Sequence, residues 1–231
     1  VAGTLWSTQT RFLGVGAMVV GGLWALVRLR GSLVSGIRSG IDSYRRMRDG
    51  AGVDVPRTEI DVPMPWIGWT LVVSVVPLFL IFNFFTGSVG VSAVMAVVML
   101  VAGFLFSAVA GYMSGLVGSS NNPISGVTIA TLLVSSLLLL LMLGADSPTG
   151  PAAALFIAAV VACAGAIAGD NMQDLKAGYL VGATPYKQQI MQAVGVLAAA
   201  TVLAPILTLL MRAYGIGAAT AEHPNPLAAP Q

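Results

Sequence analysis

The chain has 231 residues, of which 57% are hydrophobic and only 9% charged, with a formal net charge of +2 and a mean hydropathy of +0.89. A soluble domain carries about 25% charged residues, so a water-soluble globule is excluded, and so small a positive excess leaves no electrostatic footprint for nucleic acid. The charges are segregated between apolar runs of about 20 residues, the length that crosses bilayer hydrocarbon, and because the runs are continuous rather than alternating they read as helices, not barrel strands.

An all-α polytopic bundle of about six transmembrane helices is therefore expected, forming one transmembrane domain over residues 1–231. The first runs from about Phe12 to Leu29. It is not a signal peptide, because its basic cluster follows the apolar stretch instead of preceding it. Residues 30–64 then form a basic loop. Arg28, Arg30, Arg38, Arg45, Arg46, Arg48 and Arg57 are seven of the eleven basic residues, which the positive-inside rule places in the cytoplasm. Within the loop Leu33, Ile37, Ile41 and Tyr44 recur at helical spacing, which suits a short amphipathic helix on the membrane surface.

The second span is expected from about Trp66 to Phe85, the third from Val89 to Met113, and the fourth from Ile124 to Leu143. The fifth runs from about Ala152 to Ala168 and the sixth from Ile190 to Met211, with a polar Pro-rich tail over 212–231. Alternation places the Met113–Ile124 turn and the Gly169–Gln189 stretch on the cytoplasmic side, and the latter carries Lys176 and Lys187. The opposite connections, Thr86–Ser88 and Gly144–Gly150, hold no basic residue. Gly111–Gly115, Gly165–Gly169 and Gly178–Gly182 fit the small-xxx-small spacing that lets helices approach closely. Cys163 is single and His223 lies in the tail, so no disulfide, metal site or cofactor is expected from this chain.

Two polar interruptions break the pattern. In GLVGSSNNPISG, Pro123 removes a donor and drives Asn122 out of helical geometry, so a broken or re-entrant segment is expected near Ser119–Pro123. Such breaks build transporter sites, although the same residues also suit a cytoplasmic turn. Ser119, Ser120, Asn121, Asn122 and Pro123 are the candidate substrate-binding residues. In GDNMQDLKAGYLVGATPYKQQ, Asp170 and Asp174 share one face if helical. With Gln173, Lys176 and Tyr179 they are candidates for coupling and gating, or form a charged structural corner.

SSNNPISGVTIATLL resembles the asparagine–proline signature of the oligopeptide transporter (OPT) family, and GDNMQDLKAGYLVGATPYKQQIMQAVGV is similar to that family's QDLK-x-GYL segment. LVRLRGSLVSGIRSG and the tail PLAAPQ look like bacterial members. The resemblance implies a multi-pass secondary transporter of the plasma (inner) membrane, not an enzyme. It implies proton-coupled uptake of small peptides or, in the yellow-stripe-like branch, of metal–chelate complexes. Family members are longer, so the chain is expected to be a segment that works with further helices of the same polypeptide. The alternatives are a passive channel or structural subunit, and an intramembrane hydrolase. The last lacks a histidine inside the membrane to serve Ser119 or Ser120.

Overall fold

The computed structural model describes residues 2–48 and 56–215, and every regular element among them is helical. A short α1 (Ala2–Leu5) passes through a π-helical turn at Trp6–Thr10 into α2 (Arg11–Arg48). A 3₁₀ turn at Arg57–Glu59 precedes α3 (Met64–Thr86), which is followed by α4 (Val89–Val117), a 3₁₀ turn at Ser119–Asn121, and α5 (Ile124–Leu143). α6 (Gly150–Leu180) and α7 (Pro185–Tyr214) complete the order. Among the described residues five helices, α3 to α7, are long and apolar enough to cross a membrane. The expected first span, Phe12–Leu29, lies within α2.

The chain divides into two compact units, residues 1–185 and 186–231. The second holds α7 from Tyr186 onward, together with Lys187, Gln188, Gln189 and Gln192 of the polar stretch. In the first, α6 packs mainly on α4 and α5, α3 lies on α4, and α2 runs beside α5 and α4.

Several boundaries differ from the sequence reading. Residues 30–48 are helical and continuous with α2, where a separate short surface helix is expected, and of its stripe Ile41 is exposed. Side-chain placement at Leu33, Ile37 and Tyr44, and the segments 49–55 and 216–231 with His223, lie outside the described residues. The helix that holds the expected fifth span, Ala152–Ala168, continues to Leu180. Asp, Gln and Lys sit readily on the aqueous turns of a helix that outruns the hydrocarbon. At 1.5 Å per residue the 31 residues of α6 extend about 46 Å, against about 30 Å of hydrocarbon.

The core is made by α3 to α6. Phe82, Met95, Met99, Val127, Leu139, Ile157 and Val161 are buried in one cluster. Phe82 meets Phe156 edge to face at 5.4 Å, and Phe85 lies 5.8 Å from the same ring. At the α3–α4 corner, Thr86 and Ser92 hydroxyls lie 2.8 Å apart and the Ser92 hydroxyl also donates to the Ser88 carbonyl at 2.7 Å. That pairing removes two hydroxyls from an apolar setting where unpaired groups are costly.

The outer surface has the opposite character. Trp66, Trp69, Phe84 and Leu141 are among many large apolar side chains left exposed. An apolar surface of this extent is covered by lipid or by protein, not water.

Burial separates two neighbouring phenylalanines on α3. Phe82→Ala is expected to destabilise the fold by about 3 kcal/mol through lost packing, whereas Phe84→Ala, on a surface position, changes it by less than about 0.5 kcal/mol. Thermal unfolding of the two variants in one detergent checks the contrast.

Candidate functional site

The polar break is assembled against α6. α4 ends at Gly118, whose φ of +85° is open to glycine at little cost. The chain then makes a single 3₁₀ turn, in which Asn121 N–H donates to the Gly118 carbonyl and Asn122 N–H to the Ser119 carbonyl. Pro123 precedes the first residue of α5. The break expected from Pro123 is thus present as a tight connection between α4 and α5.

Three side-chain bonds tie this corner to α6. Ser114 Oγ, buried on α4, donates to the Gly169 carbonyl at 3.0 Å. Asn122 Nδ2 donates to the Gly165 carbonyl at 3.3 Å. Ser119 Oγ donates to Gln173 Oε1 at 2.9 Å. A helical carbonyl keeps a second lone pair after its own i+4 bond, and glycine leaves the helix surface bare enough for a neighbouring side chain to reach it. The carbonyl acceptor also fixes the amide orientation of Asn122, since only its nitrogen donates. Asn122 Oδ1 is then left buried without a hydrogen-bond partner among the described residues.

The close approach depends on small residues at matched heights. A Cβ at Gly165 would stand 3.9 Å from Ala110 Cβ. A Cβ at Gly111 would meet Met172 Cγ at 3.3 Å. A Cβ at Gly169 would lie 2.5 Å from Asn122 Nδ2 and 3.6 Å from Ser114 Cβ. The seam on α4 is therefore Ala110, Gly111 and Ser114, and the expected Gly111–Gly115 pair is only half used, since Gly115 faces open space. Ser114, Gly165 and Gly169 were not among the expected site residues. The Gly165–Gly169 spacing was a visible packing signal, but nothing in it announces that the two carbonyls accept bonds from another helix.

The remaining candidates are placed differently. Ser120 and Asn121 are exposed, and Asn121 Nδ2 turns back to the Val117 carbonyl at 3.2 Å. Pro123 is half-buried. Asp170 and Asp174 lie one helical turn apart on α6, and both are exposed. Lys176 Nζ stands 5.3 Å from the centre of the Tyr179 ring, a cation–π distance. Gly182 (φ +74°) then ends α6 in a Schellman turn, with Ala183 N–H donating to the Gly178 carbonyl at 2.8 Å and Gly182 N–H to that of Tyr179 at 3.1 Å. A Cβ at Gly182 would sit 3.4 Å from an Arg57 guanidinium nitrogen, so the residues entering α3 and the end of α6 share one end of the bundle.

Depth along α6 follows from these contacts. Gly165 precedes Asp170, the first charge on α6, by about 7 Å of helix rise, while Gln173 lies beyond it. The break thus straddles the limit of the apolar stretch, with Asn122 on the apolar side and Ser119 on the polar side. Among the described residues no three His, Cys, Asp or Glu side chains are grouped to hold a metal ion.

The 2.5 Å approach makes Gly169 and Asn122 a coupled pair. Gly169→Ala is expected to cost about 1–3 kcal/mol by overpacking. In an Asn122→Ala background the same change should cost less than about 0.5 kcal/mol, because the obstructing amide is gone. A double-mutant cycle on thermal stability measures this, and equal costs in both backgrounds would refute the contact.

Comparison with known proteins agrees with the polar signatures. The family model described as "OPT oligopeptide transporter protein" matches residues 1–231. A Haemophilus influenzae protein named "Putative oligopeptide transporter" is 33% identical over 232 residues, covering 94% of this chain. The chain spans 36% of that relative's length. No solved structure matches. The chain belongs to the OPT oligopeptide transporter family, as a multi-pass helical membrane segment.

Proposed function

We propose that the protein containing this chain is a proton-coupled secondary transporter that takes up small oligopeptides across the plasma membrane. The observation that carries this reading is the polar break at Ser119–Pro123, bonded through Ser119 and Asn122 to the α6 segment that bears Asp170, Gln173 and Asp174. A polar turn between two helices presents backbone and small polar side chains that suit a peptide's alternating donors and acceptors. Ser119, Ser120, Asn121, Asn122 and Pro123 are assigned to the substrate. Asp170, Gln173, Asp174, Lys176 and Tyr179 are assigned to coupling and gating. The printed name of the relative supports peptides over metal chelates as the solute.

The direct bond between Ser119 and Gln173 gives the coupling idea a physical route. A protonation change at the neighbouring Asp174 alters the local field and the hydrogen bonding of α6, and Gln173 passes that change to the break. The arginine-rich segment Arg28–Arg57 is assigned to the cytoplasmic side by the positive-inside rule, and the end of α6 with it.

The test is uptake by the full-length parent protein in liposomes under an imposed proton gradient. Labelled tri- to hexapeptides should accumulate and an uncoupler should abolish accumulation. Selective accumulation of ferric chelates would move the solute class, and uncoupler-insensitive equilibration would indicate a passive pore. Asp174→Asn is expected to lower gradient-driven accumulation about tenfold and flatten its pH dependence while peptide exchange persists. An unchanged pH profile in the folded variant removes Asp174 from coupling.

A further inference from the structure

We propose that α2 carries a seat for the headgroup of an anionic phospholipid, built by Trp24, Val27, Arg28, Arg30 and Gly31. These five residues line a groove of about 450 Å³ on the helix surface. Trp24, Arg28 and Gly31 follow i, i+4, i+7 spacing and therefore share one face. A Cβ at Gly31 would meet nothing within 4 Å, so the groove floor is open backbone. Arg30 Nη1 donates to the Val27 carbonyl at 3.1 Å, which draws the guanidinium back along the helix toward the apolar residues. Arg28, also exposed, lines the same groove from the Trp24 side of the helix.

The two halves of the groove differ in chemistry. Trp24 and Val27 close the uncharged stretch 12–27, and both are more than half exposed, at 64% and 51%. Arg28 and Arg30 open a segment, 28–48, that holds six arginines against one acid, Asp42. The seat thus falls where hydrocarbon gives way to the headgroup layer. Guanidinium donors match phosphate oxygens in a planar fork. Indole rings settle at the membrane interface, and Val27 offers acyl chains an apolar flank. A free phosphate would use the arginines alone. A phospholipid uses both halves and is delivered at the correct depth. The site is separate from the break and does not rest on the transport reading.

The test uses the full-length parent protein purified in detergent, with retention of phosphatidylglycerol and of phosphatidylcholine compared by native mass spectrometry. Wild-type protein is expected to retain phosphatidylglycerol at least about fivefold in preference. Arg28→Gln/Arg30→Gln is expected to lose that preference. Arg45→Gln, about 25 Å further along α2 by helix rise, is expected to keep it. Because neutralising two arginines disturbs membrane insertion, Arg28→Lys/Arg30→Lys serves as the second variant. It keeps the charge, loses the fork, and should show a reduced preference. Equal retention of both lipids by wild-type protein overturns the proposal, as does a preference unchanged in both double variants or lost equally in Arg45→Gln. Competition by free glycerol phosphate as effective as by the lipid overturns it too, leaving only a phosphate contact.

Discussion

The close approach of α4 and α6 is the constraint on which the first unit depends. Inside a membrane, apolar side chains gain little by leaving lipid for protein, so helices associate through packing and hydrogen bonds. Ala110, Gly111 and Ser114 on one helix meet Gly165 and Gly169 on the other with almost no side-chain volume between them. That proximity lets α6 carbonyls take bonds from Ser114 and Asn122. A bulkier residue at Gly165 or Gly169 would separate the backbones and strand these donors in an apolar setting.

The position of the polar break follows from the same seam. Pro123 ends one helical ladder and leaves the chain to find other partners. Ser119 and Asn122 find them on α6, about two helical turns apart, one on each side of the apolar limit. The polar end of α6 is consequently not a free loop. It is the continuation of a core helix, rigidly connected to the residues buried around Ile157 and Val161.

Much of this was legible in the sequence, for identifiable reasons. Helical class followed from uncharged runs long enough to span a bilayer, and the break followed from Pro123. Gly165–Gly169 announced close packing. What could not be read was the length of α6, because Asp170, Gln173, Asp174 and Lys176 look alike on a loop and on an aqueous helical turn. Nor could the partner of each glycine be read. Gly111 and Gly115 are equivalent by spacing, and only the rotation of α4 against α6 decides that Ser114 and not Gly115 faces the seam. The pairing of Ser119 with Gln173 joins residues 54 apart, and no local pattern encodes it.

The most direct measurement is disulfide formation across the seam, with Cys163 first replaced by Ala. Ala110→Cys with Gly165→Cys places the two Cβ atoms about 3.9 Å apart with no other atom in the way, inside the range a disulfide requires. Mild oxidation in membranes should cross-link this pair rapidly and leave Gly115→Cys with Gly165→Cys reduced. A cross-link at Gly115 instead, or none at Ala110 in folded protein, would show that α4 and α6 do not meet along this face.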